Sequence, residues 1–339
     1  MSVLVKETTR PAVTGSRDVG QNRSIEIFDL IGNTAMVRID LFREEFPKAM
    51  VCAKAEYLNP GGSLKDRPVA KILLKARERR ELAEDKVILD SSSGNAGIAY
   101  AMLGGALGHA VELVIPGNAS EGRLMRIRAH GANVILTDPL EGYDEALREV
   151  HRRYNKNPDA YFFADQYSND DNWLAHYETT AQEILEQAPD LTHFICGIGT
   201  GGSISGIGRR LKEETPEVTV VSVRPERFPG IEGLKPLGEP QDVVPEILDE
   251  TVIDENVDVT ADEARHYCHR LAKAGHFVGQ SSGAYLVGVE RVLERYPDAL
   301  ESLHCSMILA NGMAVRDCGK IEDGEVQVAM NILIRAGGC

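Results

Sequence analysis

Short apolar runs rich in β-branched residues alternate with helix-type patterns along most of the chain. The run AMVCAKA at 49–55 reads as a strand. The stretch 68–82 reads as a helix, with Ala70, Ile72, Leu73 and Ala76 on one face. Strands are then expected at 86–90, 111–115, 133–136, 160–164, 193–197 and 218–223. Helices are expected between them, at 97–107, 121–130, 142–155, 173–186 and 203–214. Continuous apolar strands separated by helices predict βαβ units and parallel sheets covered on both faces. Ligands of such sheets sit beyond the carboxyl ends of the strands, so chemistry is sought in the loops that follow them. No internal repeat interrupts the alternation.

Composition narrows the function classes. A chain of 339 residues suggests two domains, and 43% hydrophobic content supports packed cores. Lys and Arg number 37 against 52 Asp and Glu, for a net charge of −15. That argues against a nucleic-acid partner, which needs cations in excess. The most apolar region, around 99–116, is broken by His109 and Glu112, and the first twenty or so residues form a polar arm without a signal-type apolar core. No membrane association is expected. Cys52, Cys196, Cys268, Cys305, Cys318 and Cys339 are scattered without a CxxC pair, which fits reduced thiols in a cytoplasmic protein. His266, Cys268 and His269 stand together, but no further ligand accompanies them; they read as a helix face, and no metal is expected.

Three loops carry candidate chemistry. The first, NPGGSLKDRP at 59–68, ends at a helix start with Ser63 as a candidate cap and Pro68 in the first turn. Lys65 sits between glycines and the positive end of that helix, an environment that lowers an amine's pKa and suits a Schiff-base lysine. The second, DSSSGNAG at 90–97, joins a strand to an apolar helix, which is anion-site geometry suited to a carboxylate. The third, GIGTGGS at 197–203, has the same setting and suits a phosphate. Gly197, Gly199 and Gly202 also satisfy GxGxxG, with Glu226 after the next strand, so an NAD-dependent dehydrogenase is a rival. That fingerprint belongs in a first βα unit, however, and leaves the lysine loop unexplained. A lysine, a carboxylate loop and a phosphate loop together describe a pyridoxal 5′-phosphate (PLP) site.

Those residues, with others, resemble the fold-type II PLP enzymes of the cysteine synthase (O-acetylserine sulfhydrylase) and cystathionine β-synthase family. Leu30-Ile31-Gly32-Asn33-Thr34 is similar to the family's LIGNTPLV opening. NPGGSLKDR is similar to its lysine motif, SSGNAG to TSGNTG, and GTGGS to GTGGT. DQYSN at 165–169 resembles DQFxN, GIEG at 230–233 followed by Val244-Pro245 resembles GIxG with its later Pro, and GQSSGA at 279–284 resembles GISSGA. The resemblance implies two three-layer αβα domains of the tryptophan synthase β-like fold, with the cofactor in the cleft between them. A smaller domain at 70–170 would be inserted into a larger one made of 1–69 and 171–339. Lys65 would carry the PLP and shuttle protons. Asn95 would hydrogen-bond the 3′-oxygen, Gly199, Thr200, Gly201, Gly202 and Ser203 would cradle the phosphate, and Ser281 would face the pyridine nitrogen. Ser92, Ser93, Gly94, Asn95, Gln166, Gly230 and Ile231 would bind the amino-acid substrate. A homodimer is implied as well.

The implied reaction is β-replacement on an activated L-serine through an α-aminoacrylate, with sulfide giving L-cysteine. The resemblance implies O-acetylserine or O-phosphoserine as the donor, and the sequence does not decide between their leaving groups. Ala96 stands where the family has Thr, and SSGNAG also resembles serine/threonine dehydratases. Asp171-Asn172-Trp173 replaces the usual PANP, and Ala310 to Val315 lacks the Asp, Arg and Tyr of the family's PDxGxRY. NPGGSLKDRP and QYSNDDNW resemble the synthase that joins O-phosphoserine to glutamate, a diaminopropionate-precursor reaction. Arg224, Arg227 and Lys235 flank GIEG and are either readers of a substrate phosphate or solvated surface charge.

Overall fold

The structure, a computed structural model, describes residues 25–92, 94–140, 142–239, 242–295 and 304–309. Ser93, Cys318, Cys339, most of the N-terminal arm and the 310–315 segment lie outside the described residues. In chain order the strands and α-helices are β1 (Met36–Arg38), β2 (Met50–Ala55), α1 (Asp66–Glu78), β3 (Val87–Ser91), α2 (Asn95–Ala106), β4 (Val111–Pro116), α3 (Glu121–Ala129), β5 (Asn133–Thr137), α4 (Gly142–Lys156) and β6 (Tyr161–Phe163). They continue with α5 (Asp170–Ala175), α6 (Ala181–Gln187), β7 (His193–Gly197), α7 (Gly202–Glu214), β8 (Thr219–Pro225), β9 (Glu255–Val259), α8 (Ala261–Lys273), α9 (Gln280–Arg295) and β10 (His304–Leu309).

The strands form two sheets. One has four strands in the order β5-β4-β3-β6, all parallel. Its central strand, VILDS, is a continuous buried run because helices cover both faces. On one face Ile98, Ala99, Tyr100 and Leu103 of α2 join Ile72 and Leu73 of α1 and Leu124 and Ile127 of α3. On the other, Ala146 and Val150 of α4 pack on Leu89 and Val114. Helix α2 is apolar nearly all round because it is wedged between the sheet and its helical neighbours α1 and α3.

The second sheet has six strands in the order β1-β2-β10-β7-β8-β9. Only β1 runs antiparallel, pairing Val37 with Ala53; β10 lies between β2 and β7, pairing Met307 with Ala53 on one side and Ile195 on the other. Its core includes Ile204, Ile207 and Leu211 of α7 and Leu286, Val289 and Leu293 of α9. Both sheets therefore have the αβα layering expected from the alternation of runs.

The helix expected over 173–186 is divided. Helix α5 passes into a π-turn at His176–Thr180 before α6 begins. Such wide turns mark places where one extra residue is accommodated, often beside functional sites. No helix among the described residues is long and apolar enough to cross a membrane.

Candidate active site

Lys65 is the residue immediately before α1, and the Ser63 hydroxyl accepts from its backbone N–H at 3.1 Å. The loop reaches this position through a compact turn in which Asp66 folds back and accepts from Gly61 N–H at 2.5 Å. A side chain at Gly61 would place Cβ 2.4 Å from the Asp66 carboxylate, so only glycine fits there. Burial lowers the pKa of the Lys65 amine, and the nearby Cys196 partly opposes that shift. The direction agrees with the sequence reading, but desolvation is the main cause rather than the helix end. His176, buried on the π-turn, bonds Thr180 Oγ1 through Nδ1 at 2.9 Å. Burial depresses its pKa, with the Lys65 and Arg67 charges adding to the effect.

A buried ionic network fixes the loop from behind. Arg67 donates through Nε and Nη2 to Glu56, at 2.8 and 2.7 Å, and through Nη1 and Nη2 to Glu183, at 2.6 and 2.8 Å. Lys54 donates to Glu183 at 2.6 Å and to the Thr34 carbonyl at 2.6 Å. Asn59, in the lysine loop, donates to Glu56 and accepts from Gly32 N–H. Every charge here meets an opposite charge and further hydrogen bonds, the condition under which buried ions are tolerated. The sequence carries a signal for this network: Lys54 interrupts the otherwise apolar strand β2, and Glu56 follows directly after its end.

The second loop leaves β3 and enters α2. Ser92 is buried, and its hydroxyl accepts from the N–H groups of Gly94 (3.3 Å) and Gly97 (2.9 Å), stapling the first turn of the helix. Asn95 is the first residue of α2. Gln166 is buried beside them and donates to the Ser91 carbonyl at 2.9 Å. Beneath the loop, Asp90 accepts from Ser91 N–H at 2.7 Å, and burial pushes its carboxyl up to about 7.

The third loop follows β7 and opens α7, whose first-turn N–H groups have no intrahelical partners. Gly201 has φ +86° and lies under Leu248. Gly199 is pressed by the Gly233 carbonyl, which would stand 2.7 Å from a Cβ. Thr200 accepts from Asn172 Nδ2 at 3.1 Å, and the same amide donates to the Gln166 carbonyl at 2.7 Å. Asn172 thus joins the phosphate-type loop to the substrate-type segment, a role not foreseen in Asp171-Asn172-Trp173. Gly230 and the buried Ile231 begin a loop that folds over the same place, with Lys235 N–H donating to the Ile198 carbonyl at 2.7 Å. Ser281 lies half-buried in the first turn of α9.

The three loops converge. Lys65 and Cys196, which directly precedes the third loop, are close enough to influence each other's charge. Arg126 of α3 donates to the Gly61 carbonyl at 3.1 Å, and Arg123 of α3 pairs with Glu232, whose carboxylate stands 3.9 Å from a Cβ position on Gly94. Of the flanking cations, Arg224 pairs with Asp258 at 2.9 Å and Arg227 pairs bidentately with Asp242 at 3.0 and 2.7 Å. Lys235 lies over the Tyr167 ring at 4.6 Å.

These residues suit PLP on chemical grounds: a desolvated lysine amine, a helix N-terminus fed by a glycine loop for a phosphate, and a hydroxyl at a second helix start. The comparisons agree. A family model described as pyridoxal-phosphate dependent enzyme matches residues 27–303. Cysteine synthase of Aquifex aeolicus is 46% identical over 280 residues, covering 81% of this chain and 85% of that protein. Cysteine synthase B of Escherichia coli is 35% identical over 276 residues, covering 80% and 88%. The crystal structure of O-ureido-L-serine synthase superposes with a TM-score of 0.80 at 32% identity, covering 89% of this chain and 97% of that one.

Proposed function

The chain belongs to the pyridoxal-phosphate dependent enzymes, within the fold-type II cysteine synthase family, and on that premise we propose that it replaces the β-substituent of O-acetyl-L-serine with sulfide to give L-cysteine. Membership in this family sets aside the nicotinamide reading of the 197–202 glycines. PLP, when bound, supplies an electron sink for the bond broken at the substrate Cα. In this reading Lys65 holds the cofactor, takes the Cα proton and later returns it. The desolvated position of Lys65 at the start of α1 supports this role, since burial lowers its pKa and so favours the uncharged amine that can bond a carbonyl carbon and accept a proton.

Gly199, Thr200, Gly201, Gly202 and Ser203 hold the phosphate, Asn95 the 3′-oxygen, and Ser281 the pyridine nitrogen. Ser92, Ser93, Gly94, Asn95 and Gln166 receive the substrate carboxylate, and Gly230 and Ile231 close over the side chain. The cofactor lies in the cleft between the lobe at 70–170 and the larger one made of 1–69 and 171–339. The Cβ–O bond breaks, acetate leaves, and hydrosulfide forms the new Cβ–S bond.

A neutral acetyl ester fits better than a phosphate ester because Arg123, Arg224 and Arg227 each already face a carboxylate. The similar proteins support β-replacement, since they are cysteine synthases and a synthase of O-ureido-L-serine. The test is absorbance spectroscopy of the PLP-loaded protein with O-acetylserine, O-phosphoserine and serine added separately. The expected result is a visible change with O-acetylserine that reverses on adding sulfide as L-cysteine accumulates. No visible band after incubation with PLP, or a response to O-phosphoserine alone, overturns the proposal.

A further inference from the structure

We propose that Asn172 is a positioning residue for the cofactor: its side-chain amide turns the Thr200 hydroxyl so that the hydroxyl's hydrogen is presented to the PLP phosphate. The inference rests on residues 199–203 being the phosphate loop.

Asn172 is buried in the first turn of α5, and its neighbours in the chain fix its place. The Asn169 side chain caps the helix by accepting from Asp171 N–H at 3.0 Å. Asp171 receives both arms of Arg79, at 2.7 and 3.1 Å, which ties α5 to the end of α1. Trp173 lies against Arg209 of α7, whose guanidinium stands 4.2 Å from the ring centre. Held between α1 and α7, the Asn172 side chain presses on the start of α7. A side chain at Gly202 would collide with its Oδ1.

The amide nitrogen carries two hydrogens and uses both. One goes to the Gln166 carbonyl at 2.7 Å, the other to Thr200 Oγ1 at 3.1 Å. A backbone carbonyl only accepts, so the Gln166 oxygen fixes which end of the amide is nitrogen. The Thr200 hydroxyl is then an acceptor toward Asn172, and its own hydrogen must point elsewhere. Among the described residues no acceptor takes that hydrogen. Thr200 is buried between Gly199 and Gly201, directly before the α7 N–H groups that lack intrahelical partners. An anionic oxygen complements a hydroxyl hydrogen and such N–H groups together. A freely rotating hydroxyl would turn a lone pair toward that oxygen part of the time. The Asn172 bond removes that orientation before the phosphate arrives, which lowers the ordering cost of binding.

The experiment titrates the PLP-free protein with PLP and, separately, with pyridoxal, which has the same ring and aldehyde but no phosphate. Wild type, Asn172→Asp, Thr200→Val and the double variant are compared by visible absorbance, with thermal melting alongside. Asn172→Asp puts an accepting oxygen where the nitrogen donates, so the Thr200 hydrogen turns back toward it. Affinity for PLP is expected to fall at least about tenfold, in line with one hydrogen bond to a charged group, and affinity for pyridoxal by less than about twofold. In the Thr200→Val background the same change should weaken PLP binding by less than about twofold, because no hydroxyl remains to be turned. A tenfold fall that persists there comes from the Asp charge itself and overturns the inference. Equal losses for PLP and pyridoxal, the mark of a merely structural role, overturn it as well, and so does an unchanged preference. If Asn172→Asp does not fold, Asn172→Ala decides: it frees the hydroxyl without adding charge, and the preference for PLP over pyridoxal should fall by about threefold. A wild-type protein that binds PLP no better than pyridoxal overturns the phosphate-loop reading instead, so the two failures are distinguishable.

Discussion

Arg67 and Glu183, 116 residues apart, meet edge to edge: Nη1 lies 2.6 Å from Oε1 and Nη2 2.8 Å from Oε2. The pair ties the first turn of α1 to α6 and so fixes the backbone two residues beyond Lys65. Breaking a buried pair strands the surviving charge. Arg67→Ala is expected to destabilise the fold by about 3–5 kcal/mol, as read by urea unfolding. Arg67→Met, which fills the same volume but leaves the buried Glu56 without its ion pair, should not restore stability unless Glu56→Gln is added.

The same carboxylate sets an acid limit. Burial works against its charge, but the Arg67 and Lys54 bonds outweigh burial and hold Glu183 at about 2, against an ordinary 4.5. A carboxyl depressed on folding contributes its full stability above the ordinary value and loses it as pH falls toward the folded one. Between about pH 4.5 and 2 the wild type should lose stability more steeply than Glu183→Gln. Denaturant midpoints measured across that window check the slope.

Asp90 works with the opposite sign. Its folded carboxyl titrates at about 7 instead of 3.8, chiefly through burial. From about pH 4 to 7 the unfolded chain ionises while the folded one keeps its proton, so stability falls as pH rises. Asp90→Asn should remove that fall, gaining a few kcal/mol over wild type at pH 8 relative to pH 5. Ionised Asp90 also sits beneath the loop assigned to the substrate carboxylate, so the wild-type KM for the amino-acid donor should rise above pH 7 and the Asn variant's should not.

Lys65→Ala is expected to fold and to lose the covalent cofactor absorbance. Turnover should drop by at least about 10³-fold, within the range attributed to a positioned acid–base group combined with covalent catalysis. Steady-state rates with O-acetylserine and sulfide, beside circular dichroism, measure both.

Gly199→Ala should weaken PLP binding at least about tenfold with little loss of helix content. Its Cβ would stand 2.7 Å from the Gly233 carbonyl, a backbone atom that cannot swing aside, and would push the 230–235 loop off the phosphate-type loop. Fluorescence titration of apoenzyme with PLP reads the change.

What the sequence disclosed was local. The apolar runs located the described β-strands of the four-stranded sheet, and each chemistry-bearing loop follows a strand or opens a helix because capping and backbone geometry act over a few residues. Arg67–Glu183 and Asn172–Thr200 were not legible, since each joins segments that only the tertiary fold brings together. The π-turn at His176–Thr180 escaped because its residues carry the same helical periodicity as their neighbours. Arg224 and Arg227 were ambiguous until Asp258 and Asp242 were seen against them.

The place of β10 between β2 and β7 bears on biosynthesis. On a ribosome, the strands of the four-stranded sheet emerge as one continuous block and can pair as soon as they clear the exit tunnel. The six-stranded sheet is different: β2 and β7 wait with exposed edges until β10, the last of the ten described strands, arrives to join them. Long-range closure of this kind is slow and leaves open edges vulnerable to chaperone capture or aggregation. The lysine loop leaves the end of β2 and the phosphate-type loop the end of β7, so their final spacing is set by that late insertion. A nascent chain therefore gains its competence to capture PLP only once β10 has been made, and a ribosome stalled before β10 should display a folded small sheet but no cofactor-binding cleft.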